Sequence, residues 1–223
     1  GPKGFIELNG EKIILRSIRL LQRNGIEKIF IGTGHLSHFY DDICDNEKII
    51  CIKNSSYKTT GSFYTLCNLI NNIDHDFLLL ESDIFFEEKT IKVLKNIDKT
   101  DVIIVSSFTK SGDEVFVDVD SDFHLKSLSK KKSLFESPYG ELVGISKISK
   151  KTLDYLKIWY QKNKQISKSI HYEQAFSLMS DNIDFYVEKI EDLIWTEIDT
   201  KEHYFKAKNI IAPKIKKNDH EDG

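Results

Sequence analysis

The 223-residue sequence contains few residues of the kinds that mark specialised folds, with three cysteines, three prolines and one methionine. It has no apolar run close to the roughly 18 residues that a membrane-spanning helix needs. No signal-peptide pattern opens it, and it shows no internal repeat or low-complexity segment. These absences argue against a membrane or fibrous protein and predict a cytoplasmic one.

No charge of one sign dominates the sequence. Its 32 lysines and arginines nearly balance 35 aspartates and glutamates, which gives a formal net charge of -3. A general attraction to nucleic acid or to an anionic membrane is therefore not expected. Any site for an anion must therefore depend on nearby basic groups rather than on the net charge of the protein.

The cysteines suggest neither a disulfide framework nor a zinc site. Cys44, Cys51 and Cys67 are odd in number and lack the Cys-x-x-Cys spacing of many metal sites. We expect reduced, buried or partly exposed thiols.

Hydrophobic residues make up 40% and charged residues 30%, the composition of a globular domain. Short apolar runs alternate with segments of helical periodicity, which predicts a three-layer α/β fold with a mostly parallel sheet. The predicted strands of this part are residues 28–32, 48–52, 76–83 and 102–105. We assign residues 1–213 to one domain and residues 214–223 to a frayed polar tail or linker.

The pattern changes after Lys110. Residues 115–119 and 124–129 alternate apolar and polar positions around the turn-like Asp120-Ser121-Asp122. This predicts a small antiparallel hairpin inserted into the α/β domain. A further strand is expected near 139–146.

Two aspartates follow predicted strands. Asp83 ends the strongest apolar run, just after Glu81, and Asp199 ends a short strand near residue 198. Ligands of open α/β sheets bind outside the carboxyl ends of strands, and Mg²⁺ prefers one or two carboxylates together with substrate phosphates. Each aspartate is also a good helix N-cap, so both interpretations stay open on spacing alone.

Two further segments have the composition of binding loops. Gly61 and Ser62 open a helix, where the backbone can approach a ligand closely, although an ordinary capped helix has the same pattern. Residues 111–114 are either a tight turn or a recognition loop. Lys3, held between Pro2 and Gly4, is either a phosphate contact or a solvated terminal charge.

Nine motifs, taken together, resemble the nucleotidyltransferases that activate small phosphorylated compounds, a superfamily that includes the nucleotide-sugar pyrophosphorylases. The resemblance is strongest to the phosphocholine and 2-aminoethylphosphonate cytidylyltransferases. It runs nearly the whole length of the chain. The motifs are PKGFIELNGEKIILRSI, NGIEKIFIGTGHL, TTGSFYTL, FLLLESDIFFE, SGDEVFVDVD, SLSK, YGELVGISKISK, HYEQAF and KIEDLIWTEIDTKEHYFKA.

The resemblance implies a Rossmann-like fold and the transfer of CMP from CTP, with release of pyrophosphate and with Mg²⁺ as cofactor. It matches Asp83 and Asp199 to the metal ligands and Lys3 to a phosphate contact. It also implies a cytosine-binding region, whose matching residues are Thr33, Gly34, Gly61 and Ser62.

The implied acceptor is 2-aminoethylphosphonate, with phosphocholine or another sugar or alcohol phosphate as the alternative. A buried ammonium needs a carboxylate or aromatic partner, and a phosphonate needs a cation. The candidate acceptor residues are Asp113, Lys130, Glu141, Tyr172, Glu173 and Trp195. Glu173 fits solvent equally well, and Tyr172 and Trp195 fit a core.

The sequence departs from this family at its start. Members begin with a buried strand and a glycine-rich LAAGxGxR loop, and neither precedes Pro2 here. We expect an uncovered apolar sheet edge and weak or absent activity of this chain, which keeps a nucleotide-binding module without turnover as an alternative. The resemblance also allows an aminotransferase domain fused beyond the polar tail.

Overall fold

The computed structural model describes residues 1–222, with side chains up to residue 219. The helices are α1 (Ile13–Arg23), α2 (Ser62–Ile70), α3 (Lys89–Asn96), α4 (Lys150–Lys162), α5 (Lys164–Ser167), α6 (Tyr172–Met179), α7 (Lys201–Lys206) and α8 (Ala212–Asp222). Short 3-10 helices span Lys3–Phe5, Ser37–Tyr40 and Lys132–Leu134, and a π-helix spans Ala207–Ile211.

The described residues also form twelve strands. They are β1 (Glu7–Leu8), β2 (Glu11–Lys12), β3 (Ile29–Thr33), β4 (Ile49–Lys53), β5 (Phe77–Leu80), β6 (Ile84–Phe86), β7 (Val102–Ser106), β8 (Phe116–Val119), β9 (Leu125–Ser129), β10 (Gly140–Ile148), β11 (Tyr186–Ile190) and β12 (Trp195–Glu197).

The largest sheet has the order β11-β7-β10-β8-β9, and β5 pairs with the other half of β10. Strands β5, β7 and β11 run in one direction, and β10 runs against β5 and β7 from its place between them. The predicted hairpin is confirmed as the antiparallel pair β8–β9. In its turn, the Asp120 carboxylate accepts hydrogen bonds from the backbone N–H groups of Asp122 and His124.

The core lies on both faces of this sheet. In β7, Ile103 and Val105 pack against α2, α4 and α6, whereas Val102 and Ile104 pack against α1 and α3. This alternation follows from the two-residue period of a strand. It yields the three-layer α/β architecture that the sequence predicts.

Strands β3 and β4 form a separate parallel pair. Among the described residues, β3 pairs only with β4 and β5 only with β10. All four residues of β5 are half-buried, although they are Phe or Leu. Within the described residues, β3 and β5 therefore each have one edge without a strand partner.

Residues 214–222 correct the prediction of a frayed tail, and Gly223 lies outside the described residues. They belong to α8, where Ile215 is buried against β1 and α1. Asp219 accepts a hydrogen bond from the buried Arg16 guanidinium at 2.8 Å. Tertiary packing thus orders a segment whose composition alone is polar.

The cysteine prediction is also corrected in part. Cys44 and Cys51 form a disulfide with a Cα–Cα distance of 5.9 Å, while Cys67 is free and buried. The turn after the second 3-10 helix brings Cys44 back toward β4, a fold-back that the seven-residue spacing does not reveal. No helix in the described part of the chain is long and apolar enough to cross a membrane.

Candidate active site

Lys3, Asp83 and Asp199 converge at one end of the small β6–β12 pair. Asp83 precedes β6 and Asp199 follows β12, and the two strands pair antiparallel, so both aspartates come to the same end. The backbone N–H of Ile198 donates to the carbonyl of Asp83 at 3.2 Å. The Lys3 ammonium donates to Asp199 Oδ1 and lies 4.0 Å from Asp83 Oδ2. The predicted pair of acids therefore flanks one cation.

Burial and mutual charge shape the ionisation of these three groups. Burial, followed by the charge of Asp199, raises the pKa of the Asp83 carboxyl. Burial is the largest influence on Asp199 and opposes its ionisation, but the hydrogen bonds from Lys3 and Glu197 and the charge of Lys3 together outweigh it and lower the pKa of that carboxyl. For Lys3, the hydrogen bond and charge of Asp199 overcome burial and raise the pKa of the ammonium. Asp83 and Asp199 together therefore favour a cation between their carboxylates.

An acidic cavity of about 60 Å³ adjoins this centre. Six carboxyl groups and one lysine line it, so the cavity favours a positively charged ligand group. Its lining residues are Glu81, Asp113, Val115, Lys130, Glu141, Leu142, Glu173, Glu197 and Asp199. Four of the six predicted acceptor residues are among them.

Glu81 forms the inner wall of the cavity. Its Oε2 accepts a hydrogen bond from the Tyr172 hydroxyl at 2.7 Å. Burial raises the pKa of Glu81 to about 8, although the Tyr172 hydrogen bond opposes this change. Gly144, with φ of +92°, lies against Glu81, and a Cβ atom there would come within 2.2 Å of Oε2. The glycine thus leaves the space that the carboxylate occupies.

Glu141 lies on β10 and is almost fully buried. Its two oxygens accept from the backbone N–H and the hydroxyl of Thr109, at 2.7 and 3.1 Å. Burial raises the pKa of the Glu141 carboxyl, against the effect of these hydrogen bonds. Asp113 and Lys130, in contrast, are exposed at the rim.

Tyr172 and Trp195, the other two predicted acceptor residues, lie mainly in the core. Tyr172 reaches the site through its hydroxyl on Glu81, while its ring packs beside Phe176. The Trp195 indole is 5% exposed, and its Nε1 donates to Ser106 Oγ at 2.8 Å. Neither is a lining residue of the cavity.

The predicted nucleotide-binding residues lie around the loop 54–61. The backbone N–H of Asn54 donates to the carbonyl of Thr33, and the Asn54 amide donates to the hydroxyl of Thr60, beside Gly61. A Cβ at Gly34 would lie 2.7 Å from the Tyr57 side chain. Asn54 therefore connects the segment with Thr33 and Gly34 to the segment with Gly61 and Ser62.

Gly61 and Ser62 also contact the segment before α6. A Cβ at Gly61 would lie 2.3 Å from the Ile170 carbonyl, which accounts for the glycine. Ser62 Oγ accepts from the backbone N–H of Tyr172 at 2.9 Å. Their role in reading the cytosine edge stays a prediction.

Three further residues near the site, Glu81, Glu197 and His203, are not among the predicted site residues. The sequence carried a signal for the glutamates, because each stands two positions before a predicted metal ligand, in Glu81-Ser82-Asp83 and Glu197-Ile198-Asp199. Burial and the neighbouring carboxylates raise the pKa of Glu197. No comparable pattern singled out His203.

The acids around Asp83 fit a hard cation. Ligand atoms of Glu81, Asp83 and Glu197 lie within 4.8 Å of one another, and carboxylate oxygens are the ligands that Mg²⁺ prefers. The Lys3 ammonium contacts Asp83 of this group and Asp199 outside it, so a positive charge already lies between the two predicted ligands.

A larger groove of about 610 Å³ lies elsewhere, between α3 and β11. Its described lining includes Lys89, Lys92 and Tyr186 and none of the predicted site residues. The chemistry of the acidic cavity, rather than cavity size, identifies the candidate site.

Comparison with solved structures identifies the fold. The structure is similar to the inositol-1-phosphate CTP transferase from T. maritima, with a TM-score of 0.79 and 16% identity over 97% of this chain and 88% of that chain. It is also similar to CTP:phosphocholine cytidylyltransferase from Streptococcus pneumoniae, with a TM-score of 0.72 and 20% identity over 94% and 89%.

A third similar structure is HddC from Yersinia pseudotuberculosis complexed with GMP-PN, with a TM-score of 0.67 and 18% identity over 93% and 88%. No family model matches the sequence. At these identities the similarity concerns the fold. The chain therefore has the nucleotidyltransferase fold, which confirms the fold that the resemblance in its sequence implied.

Proposed function

We propose that this protein transfers CMP from CTP to 2-aminoethylphosphonate and releases pyrophosphate. The observation that carries the proposal is the convergence of Lys3, Asp83 and Asp199 beside a cavity lined by carboxylates. The two CTP-using enzymes among the similar structures support the choice of nucleotide.

In the proposed reaction, a phosphonate oxygen of the acceptor attacks the α-phosphorus of CTP. A new P–O bond forms, the bond from the α-phosphorus to the β-phosphate bridge breaks, and pyrophosphate leaves with its electron pair. The nucleophile is already ionised, so the protein mainly positions two anions and neutralises their charge. No protein base is required.

Each residue of the centre has a distinct task in this proposal. Lys3 binds a phosphate oxygen of the nucleotide, since it is the cation nearest both aspartates. Asp83 and Asp199 would hold Mg²⁺, which supplies positive charge to the nucleotide phosphates when bound. Thr33, Gly34, Gly61 and Ser62 form the cytosine side of the site.

The acidic cavity would bind the ammonium of the acceptor. Glu173 and Asp113 offer carboxylate oxygens and Glu81 a carboxyl oxygen to its three N–H donors, and Lys130 at the rim is available to the phosphonate. Glu141 would add negative charge to the lining of the cavity. Its side chain is held in place by the hydrogen bond from the backbone N–H of Thr109. A neutral polyol would leave this concentration of negative charge uncompensated.

Phosphocholine is the second candidate acceptor, because one similar structure is a phosphocholine cytidylyltransferase. A trimethylammonium group has no N–H donor and is usually enclosed by aromatic rings. In the described part of the chain, the cavity has no aromatic lining residue. The absence of aromatic rings from this lining favours the primary ammonium of 2-aminoethylphosphonate over the trimethylammonium of phosphocholine.

The test is pyrophosphate release from each of the four nucleoside triphosphates with Mg²⁺. The acceptors would be 2-aminoethylphosphonate, phosphocholine and glucose 1-phosphate. We expect weak turnover that is highest with CTP and 2-aminoethylphosphonate. Equal turnover with glucose 1-phosphate would refute the acceptor assignment. Calorimetric binding of Mg²⁺ and CTP without product would instead favour a nucleotide-binding module.

A further inference from the structure

His203 connects the metal side of the site with the acceptor side. It lies in the first turn of α7 and is 9% exposed. Its Nδ1 accepts a hydrogen bond from the backbone N–H of Asp199 at 3.2 Å. Its Nε2 lies 3.3 Å from the carbonyl oxygen of Ser111. One imidazole thus bridges the candidate metal ligand and the loop that carries Asp113.

These two partners determine the tautomer of the ring. A backbone N–H can only donate, so Nδ1 must be unprotonated, and a carbonyl can only accept, so Nε2 must carry hydrogen. Both ring nitrogens of the neutral imidazole are therefore engaged by the protein. The backbone N–H of His203 also donates to Thr200 Oγ1 at 3.1 Å, which fixes the start of the helix.

The tautomer argues against a metal site at this position. Ligand atoms of Asp113, Asp199 and His203 lie within 4.8 Å of one another, a spacing compatible with a metal ion. A histidine ligand needs a free lone pair. The Nδ1 lone pair is used by the N–H of Asp199, and the Nε2 that lies 4.0 Å from Asp113 carries hydrogen.

The Ser111 loop depends on side chains for its position. Lys110 and Gly112 have φ values of 59° and 90°, and the loop lies outside any strand. Thr109 is held by Glu141, and Lys206 of α7 reaches the Thr109 carbonyl at 3.5 Å. His203 is the buried link between α7 and this loop.

We infer that His203 is a positioning residue that sets Asp199 and the Asp113 loop in one geometry. This role rests on the proposed function, because its purpose is to align the nucleotide and the acceptor. The imidazole does not contact the reacting atoms. It acts through the backbone of Asp199 on one side and through the Ser111 carbonyl on the other.

Two substitutions separate the two hydrogen bonds. His203→Asn places an amide oxygen near the Nδ1 position, so it keeps the acceptor for Asp199 but does not reach Ser111. His203→Gln places an amide nitrogen near the Nε2 position, so it keeps the donor to Ser111 but loses the acceptor for Asp199.

Steady-state kinetics should show this division. With one hydrogen bond lost, we expect H203N to raise the KM for 2-aminoethylphosphonate about fivefold with kcat nearly unchanged. We expect H203Q to lower kcat about fivefold and to raise the Mg²⁺ requirement, with a smaller effect on that KM. Parallel changes of kcat and KM in both variants, or no change in either, would overturn the inference.

Two measurements without turnover keep the inference testable by itself. Long-range 1H–15N NMR of the wild-type protein should show His203 with hydrogen on Nε2, and hydrogen on Nδ1 would refute the bridge. Amide hydrogen exchange across residues 109–114 should accelerate in H203N and not in H203Q. If the wild-type protein turns over no substrate, the proposed function fails, while these two results still decide the role of His203.

Discussion

Lys3 and Asp199 form an ion pair across a sequence separation of 196 residues. The same ammonium lies 4.0 Å from Asp83. The three groups form one electrostatic unit, because a single ammonium faces two carboxylates and offsets only one of their two negative charges. Under the proposed function, Lys3 would turn to the nucleotide phosphate and the two acids would hold Mg²⁺, so each group would exchange its present partner.

Replacement of Lys3 tests its proposed contact with the nucleotide. We expect Lys3→Met to lower kcat/KM for CTP by a factor on the order of a hundred, because a charge-stabilising donor is lost. Pyrophosphate release measures this change. The matched control is Lys151→Met, at an exposed position of α4 outside the site. Equal activity of both variants would contradict the contact.

Removal of one acid at a time tests the metal pair. Asp83→Asn and Asp199→Asn should each lower kcat by a factor on the order of a hundred and shift Mg²⁺ titrations to higher concentration. Asp154→Asn is the control, because Asp154 is an exposed acid that pairs with Lys150 on α4. A Mg²⁺ dependence like that of the wild type in both site variants would exclude these ligands.

The contact of Gly144 with Glu81 predicts a difference between two glycine substitutions. Gly10→Ala and Gly144→Ala both place alanine at positive φ, with φ values of +78° and +92°, but Gly10 has open space around it. We expect Gly10→Ala to lose about 1–2 kcal/mol of unfolding free energy. Gly144→Ala should lose more and should also raise the KM for the acceptor, because its methyl group displaces Glu81. Equal losses in urea denaturation would contradict this contact.

Thiol titration tests the cysteine arrangement. Burial raises the pKa of the Cys67 thiol to about 12, and only a thiolate reacts readily. The native, unreduced protein should therefore show no reactive thiol toward Ellman's reagent. Mild reduction should release the two thiols of Cys44 and Cys51, and unfolding should expose Cys67 as the third. Rapid reaction of the unreduced native protein would refute this arrangement.

Glu141 should make stability fall as pH rises. Its pKa in the folded protein is raised above the ordinary value of 4.5, mainly by burial, so the folded state binds this proton more tightly than the unfolded state does. The contribution is favourable below pH 4.5 and is lost as pH rises through the raised pKa. Glu141→Gln should remove this component from the pH dependence of the unfolding free energy. An unchanged pH dependence would contradict the assignment.

Much of the fold follows from local patterns. The alternation of apolar runs with helical periodicity predicts the three layers, and the alternating residues around Asp120 predict the hairpin. The position of β10 between β5 and β7 depends on pairing between distant segments, which periodicity does not encode. The order of α8 likewise depends on Arg16 and on burial of Ile215, and a polar composition hides both.

Some features of the site also follow from sequence patterns, and others depend on contacts between distant residues. Asp83 and Asp199 each follow a predicted strand, where ligands of such sheets bind, but spacing alone left both open as helix N-caps, and only the resemblance matched the two to one metal site. Trp195 illustrates the limit, since its partner Ser106 is 89 positions away and the sequence does not show which face of the short strand is buried. The link through His203 was equally hidden, because it depends on the path of an irregular loop.

The separation between Lys3 and Asp199 has a consequence for synthesis of the protein on the ribosome. Lys3 leaves the exit tunnel 196 residues ahead of Asp199. A nascent chain that has reached α6 already contains most of the large sheet, yet its first lysine has no Asp199 with which to pair. The charge centre therefore forms only after Asp199 has been synthesised, later than the scaffold that surrounds it.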